Sequence, residues 1–362
     1  MAAYTNIDDP SAHFQTALYT GNSGTLAVTN DGNSDLKPDL VWTKKRSDTS
    51  HHALVDSSRG ATKQIYSNLD AAEETVSGVT AFNTDGFTLG SNGTANLNAA
   101  TFVGWQWKAN GGTTASNTDG DITSTVQANT DAGFSIVTYT GNTSNNQTVG
   151  HGLGAKPGVI LIRNRTRAES WRLNHHAINN GTGMIIVNST SAYNTTGTTL
   201  MNSAATSSVF NVSTDWSVNG NYPFVAWCWA EKQGYSKFGS YIGNSNADGP
   251  FIYLGFKPAF VMIKRTDAGT TYSSWAMFDN KRLGYNPTGG PQSLYANRDY
   301  AEGKRGQGSA NSSEVRINML SNGFKVKDGG SDEINDAGDT YIYMAFAENP
   351  LVTSTGVPTT AR

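Results

Sequence analysis

Phe134-Ser135-Ile136-Val137-Thr138-Tyr139-Thr140-Gly141-Asn142 alternates and then stops at Gly-Asn, the pattern of a β-strand running into a turn. The same pattern stands at Phe14-Gln15-Thr16-Ala17-Leu18-Tyr19-Thr20-Gly21-Asn22. It stands again at Tyr235-Ser236-Lys237-Phe238-Gly239-Ser240-Tyr241-Ile242-Gly243-Asn244. All three copies end in Tyr-x-Gly-Asn. A motif that returns at long intervals marks internal repetition, and the rest of the chain can be laid out against it.

Each opening is followed by a Lys-Pro strand: Lys37-Pro38-Asp39-Leu40-Val41-Trp42-Thr43-Lys44, then Lys156-Pro157 to Arg163, then Lys257-Pro258 to Lys264. Proline ends the loop where its missing donor does no harm. The nearly continuous apolar run predicts a strand buried on both faces, with its final basic residue returning to solvent. A third element reads His52-Ala53-Leu54-Val55-Asp56, Trp171-Arg172-Leu173-Asn174-His175 and Trp275-Ala276-Met277-Phe278-Asp279. Arg59 and Arg282 follow the two Asp by three residues, and the middle copy has His175 in place of Asp. A closing strand rich in aromatics begins at Phe102, Phe224 and Tyr341. An Asn-bearing turn (Asn96, Asn219, Asn335) stands just before each one.

The Lys-Pro anchors at Lys37, Lys156 and Lys257 lie about 100–120 residues apart, too far for a solenoid repeat and enough for each unit to bury a core. The expected organisation is all-β: three tandem degenerate β-sandwich (jelly-roll-like) domains at residues 1–110, 133–232 and 233–350. Residues 111–132 read as a linker with room for one short strand, and 351–362 as a loose C-terminal tail. Sustained helical periodicity is missing throughout, and only Asp70-Ala71-Ala72-Glu73-Glu74 is assigned a turn or two of helix.

Composition narrows the function. The net charge of −3 favours neither nucleic acid nor an anionic membrane. Charged residues make up 15%, below the roughly 25% of ordinary soluble domains, so Ser, Thr, Asn and Gly must wet the surface. That suits a secreted or particle-borne β-protein better than a cytosolic enzyme. The single cysteine, Cys228 between two tryptophans, excludes an internal disulfide and reads as a small core residue. No apolar run reaches the ~18 residues of a spanning helix, and Met1-Ala2-Ala3-Tyr4-Thr5-Asn6 lacks a secretory pattern.

These motifs resemble the structural and tail-fibre-like proteins of marine bacteriophages, which carry a repeated domain of unknown function. The resemblance rests on Tyr4-Thr5-x-Ile7-Asp8-Asp9-Pro10, on the Lys-Pro strand with its Asp-x-x-Arg, and on Gly234-Tyr235-Ser236-Lys237-Phe238-Gly239-Ser240-Tyr241. The closing Tyr-Ile-Tyr-Met-Ala-Phe-Ala-Glu-Asn-Pro at 341–350 also carries it. It implies a virion location, other phage structural proteins as partners, and a homo-oligomer, with a trimer expected by analogy with fibres. The expected role is a tail fibre or tail-associated component that contacts a host-surface glycan or protein. A capsid decoration subunit with no external ligand is the alternative, and a glycan depolymerase the third reading.

No catalytic, metal or cofactor site emerges from the motifs. His51-His52 and His175-His176 fall at different offsets in the repeat, so they are not a repeated ligand set. Asp332, Glu333, Asn335, Asp336 and Asp339 read as an Asx-stabilised turn rather than a Ca²⁺ loop. Asp56 and Asp279 read as ion-pair partners of their arginines rather than as catalytic acids. Trp105, Trp107, Trp227 and Trp229 read as core, with an exposed sugar-binding shelf as the alternative. The loop residues Tyr193, Tyr285, Tyr295 and Tyr300 are the candidate ligand-facing side chains.

Overall fold

The structure is a computed structural model. It describes residues 5–193, 201, 203–267, 269–270, 272–283, 293–305, 310–311, 316–329 and 333–359. All major sheets are antiparallel. In each repeat the closing strand lies in the middle, between the opening strand and the Lys-Pro strand, and the third element pairs outside the Lys-Pro strand. In the first repeat the order is Phe14–Thr20, Thr101–Trp107, Leu40–Lys45, His52–Asp56. In the second, Phe134–Thr140, Pro223–Trp229, Val159–Asn164 and Arg172–His175 repeat it. In the third, Ser236–Ile242, Thr340–Pro350, Phe256–Arg265 and Ala276–Asp279 do the same. The ladders align the copies residue by residue. Leu40 faces Trp107, Val159 faces Trp229 and Phe260 faces Phe346.

A small second sheet covers one face of each main sheet. Val28, Phe87 and Leu89 pack on Ala17, Val41 and Val55 in the first repeat, and Val149, Phe210 and Val212 pack on Val137, Ile160 and Ala226 in the second. In the third, Phe324 stands 5.6 Å from Tyr343. The opposite faces of the three main sheets point at one another. Trp107 meets Trp229 at 6.1 Å and Phe346 at 5.6 Å, and Phe14 stacks on Phe346 at 5.4 Å. Each Lys-Pro strand is therefore buried on both faces, as its apolar run requires. The three main sheets share this central core, to which Trp42, Trp171 and Trp275 also belong.

Tyr-x-Gly-Asn proves to be a clasp. Tyr19, Tyr139 and Tyr241 stack on the first aromatic of the closing strand, at 5.1–5.2 Å. Their hydroxyls donate to the carbonyls of Ala95, Val218 and Ile334, at 2.8, 2.7 and 2.6 Å. The next residue in each case is a fully buried asparagine. Asn96 Oδ1 accepts from Asn22 N, Asn219 Oδ1 from Asn142 N and Asn335 Oδ1 from Asn244 N. Only glycine fits before the outer Asn. A Cβ at Gly21, Gly141 or Gly243 would come within 2.1–2.2 Å of a backbone carbonyl oxygen.

Several expectations need correction. Residues 111–132 are no free linker: Ala115–Asn117 and Ser124–Asn129 extend the second main sheet to seven strands. Buried Gln127 ties that extension to Ser57 and Ser58 of the first repeat. Asp70–Glu74 is not helical. Glu74 enters a short strand and the carbonyls of Asp70 and Ala71 serve a neighbour's arginine. The tail folds back on the chain start, with Ser354 N donating to Asp8 at 2.6 Å.

A shared core predicts one cooperative urea transition for all three repeats; three separable steps would contradict it. Asn219→Ala should cost about 2 kcal/mol, because a fully buried side chain that joins Asn142 N to Ser144 O is removed and both backbone groups lose that partner. An unshifted midpoint would show that the clasp is dispensable.

Candidate functional site

A set of buried charged side chains lies at the junctions between repeats, and the junctions form a closed cycle. Glu73 N donates to Arg165 O (first repeat to second), Tyr193 N to Thr266 O (second to third) and Glu302 N to Arg46 O (third to first), at 2.7–2.9 Å. In the opposite sense, Trp171 Nε1 donates to Tyr66 O and Trp275 Nε1 to Ile186 O, while His52 Nε2 lies 2.8 Å from Tyr295 O. Lys44, Arg163 and Lys264, the residues expected to return to solvent, are fully buried. They reach carbonyls of the adjacent repeat: Asp299 O, Asp70 O and Thr190 O. A row of carbonyls replaces water as their partner, which the apolar run before them cannot reveal.

Asp-x-x-Arg supplies the ionic part of two junctions. Arg59 bonds Asp56 at 2.6 Å and Glu73 at 2.8 Å, while Arg165 of the second repeat takes the other oxygen of Glu73. Arg282, Asp279, Glu302 and Arg46 repeat this arrangement. Both inner arginines lie over a neighbour's indole, Arg59 on Trp227 and Arg282 on Trp105. Among the described residues the third junction shows no such bridge. His175 takes the Asp position, its Nε2 lies 3.1 Å from Tyr343 O, and burial pushes its pKa down to about 3.

Of the candidate tyrosines, the three that are described are buried or part-buried. Tyr295 is buried, donates to Glu333 and receives Arg316. Its expected exposure is overturned because its strand, Leu294–Tyr295, pairs with the third element inside the shared core. Tyr193 and Tyr300 are part-buried against that core, with Arg298 over the Tyr300 ring. Tyr285 and Asp332 lie outside the described residues. Glu333 pairs with Arg316, and Asp336 and Asp339 pair with Arg265, so the acidic turn is neutralised by arginines. Among the described residues no three His, Cys, Asp or Glu side chains gather as ligands. Trp105, Trp107, Trp227 and Trp229 are core, and burial pushes the Cys228 thiol pKa up.

Phe251, Tyr253 and Tyr272 face solvent, and so does one tryptophan, Trp216, half exposed at the start of the single helical turn Trp216–Asn219. Tyr222 stands 5.9 Å away, its ring tilted by 47° to the indole. Arg167 lies over both rings at 5.3 and 5.7 Å, and its Nη1 donates to Tyr222 Oη at 3.3 Å. Its Nε stands 2.9 Å from Glu169. The turn is fixed from below: Asp215 caps it and Arg172 Nε donates to Ser217 Oγ. The sequence reading missed Trp216. The available signal was its place three residues before Asn219, where the first repeat has Gly93.

Burial lowers the pKa of Lys44 and of Lys264 from the ordinary 10.5 to about 7. The unfolded chain holds these protons up to its higher pKa, so unfolding takes up protons inside that window and stability rises with pH across it. Between about pH 7 and about pH 8.5 the urea midpoint should rise, by up to roughly 1.4 kcal/mol per pH unit for each lysine. Lys44→Met with Lys264→Met should flatten the slope, and a slope unchanged in that variant would refute the assignment.

Neither a curated protein nor a solved structure matches the chain. A family described as a domain of unknown function (DUF7483) matches residues 9–350, and so takes in all three repeats as one unit. The chain therefore belongs to the DUF7483 family.

Proposed function

We propose that this chain is a non-enzymatic structural component of a bacteriophage particle, carried on the tail or a tail fibre and turned toward the host cell surface. The observation that carries this reading is the use made of its charged groups. Glycoside hydrolysis needs two carboxylates facing one cleft. Here Asp56 with Glu73, and Asp279 with Glu302, are buried against arginines that lock one repeat to the next. Side chains spent in this way support a rigid scaffold rather than turnover. The resemblance of the opening, Lys-Pro and closing motifs to phage structural proteins supports the location, other virion proteins as partners and a homo-oligomeric assembly. A capsid decoration subunit is the second reading, supported by the closed cycle of three junctions, which makes a rigid body with no need of an external ligand.

Gold-labelled antibody on purified particles of the encoding phage separates these readings. Label at the tail is the expected result. Label over the head would replace host contact by decoration, and absence of the chain from the particle proteome would overturn the virion assignment.

A further inference from the structure

We propose that Trp216, Tyr222 and Arg167 form a binding platform for a neutral pyranose ring of a surface glycan; this rests on the host-contact reading and gives it a site. The repeats act as an internal control. Positions that the framework needs are kept in kind, as with Tyr19, Tyr139 and Tyr241 or Asn96, Asn219 and Asn335. The platform positions are not kept. Trp216 corresponds to Gly93, Tyr222 to Ala100 and Arg167 to Asp48. The first repeat folds the same way without these rings, so the fold does not require them in the second.

Exposure adds a second argument. The eight tryptophans all lie among the described residues, and seven are buried, at 4% exposure or less; Trp216 is 50% exposed. An indole left in water gives up the burial that stabilises the others. The rings are also held ready. A Cβ on Gly220 would come within 3.0 Å of both Trp216 Cε3 and Tyr222 Cδ2, so the two rings close over a bare stretch of backbone. The cation over both rings joins them, and its side chain is still 47% exposed.

The chemistry of this surface selects the ligand. A pyranose has one face of C–H groups and a rim of hydroxyls. The C–H face can lie on the indole, while the hydroxyls meet donors from Arg167 and acceptors from Glu169 and Tyr222 Oη. Glu169 balances the charge of Arg167, so the platform suits a neutral sugar better than a uronic acid or a nucleic acid strand.

Iodide quenching of tryptophan fluorescence reads Trp216 almost alone, since the other seven are shielded. The full chain would be titrated with neutral oligosaccharides from bacterial surfaces, with uronic-acid oligosaccharides and with single-stranded DNA. The expected result is protection from iodide by at least one neutral oligosaccharide; titration calorimetry, which does not need the indole as reporter, should find that sugar bound about tenfold or more weakly by Trp216→Ala and with part of the affinity retained by Trp216→Phe. An unchanged circular dichroism spectrum would show that the variants fold. No protection by any neutral sugar, equal affinity in Trp216→Ala, or protection by the acidic probes alone would overturn the proposal. Binding by a chain absent from particles would sink the virion reading and leave this one standing. Tail label with no sugar protection would do the reverse.

Discussion

A β-sheet with apolar side chains on both faces has nowhere to meet water except along its edges. That constraint governs this molecule. Each main sheet covers one face with its own small sheet and leaves the other bare, ending in Trp107, Trp229 or Phe346. One bare face cannot be satisfied alone. Three of them pointed at a common centre satisfy one another, and the chain has three copies to bring together. The buried lysines, the carbonyl contacts and the Asp-Arg-Glu bridges follow from that closure, because sealing the centre also buries the ends of the strands around it.

The junctions are equivalent in position and unequal in chemistry. Backbone donors, indole or imidazole groups and buried cations recur at all three, so these are the parts that geometry demands. Among the described residues the arginine–carboxylate bridges recur at two. Where His175 replaces Asp, Met344 stands in the place of Trp105 and Trp227, and the guanidinium and the indole it would cover are absent together. Loss of one partner alone would have left a buried charge exposed to apolar surroundings. The guanidinium and the indole are present together at two junctions and absent together at the third, in keeping with that cost.

Much of this was legible in the sequence, and the reasons for the rest are specific. Alternation before Gly-Asn, the Lys-Pro entry and the closing aromatics are local patterns, and local patterns produced the strands, their order and the all-β class. Asp56–Arg59 and Asp279–Arg282 were readable as ion pairs because their partners are three residues apart. What could not be read depended on distant partners. Lys44 and Lys264 looked like surface residues because the carbonyls that receive them belong to another repeat. Tyr295 looked like a loop residue because the sheet edge it joins is formed by Ala276–Asp279. Trp216 was not legible for the opposite reason: it opens a single helical turn beside the Asn clasp, and four residues are too short to carry a periodic signal of which face is exposed.

The cyclic closure also changes how the assembly responds to dilution. Three separate subunits joined by these same contacts would exist only above some concentration, and would come apart when released into a large volume. Here the neighbours are tethered by short stretches of chain such as Glu231-Lys232-Gln233-Gly234, so their effective concentration is set by the tether and not by the surroundings. A single polypeptide can also alter one sector without touching the other two, whereas a true trimer must accept every substitution three times. Near-threefold shape, persistence in dilute water and a different face on each sector then become properties of one chain.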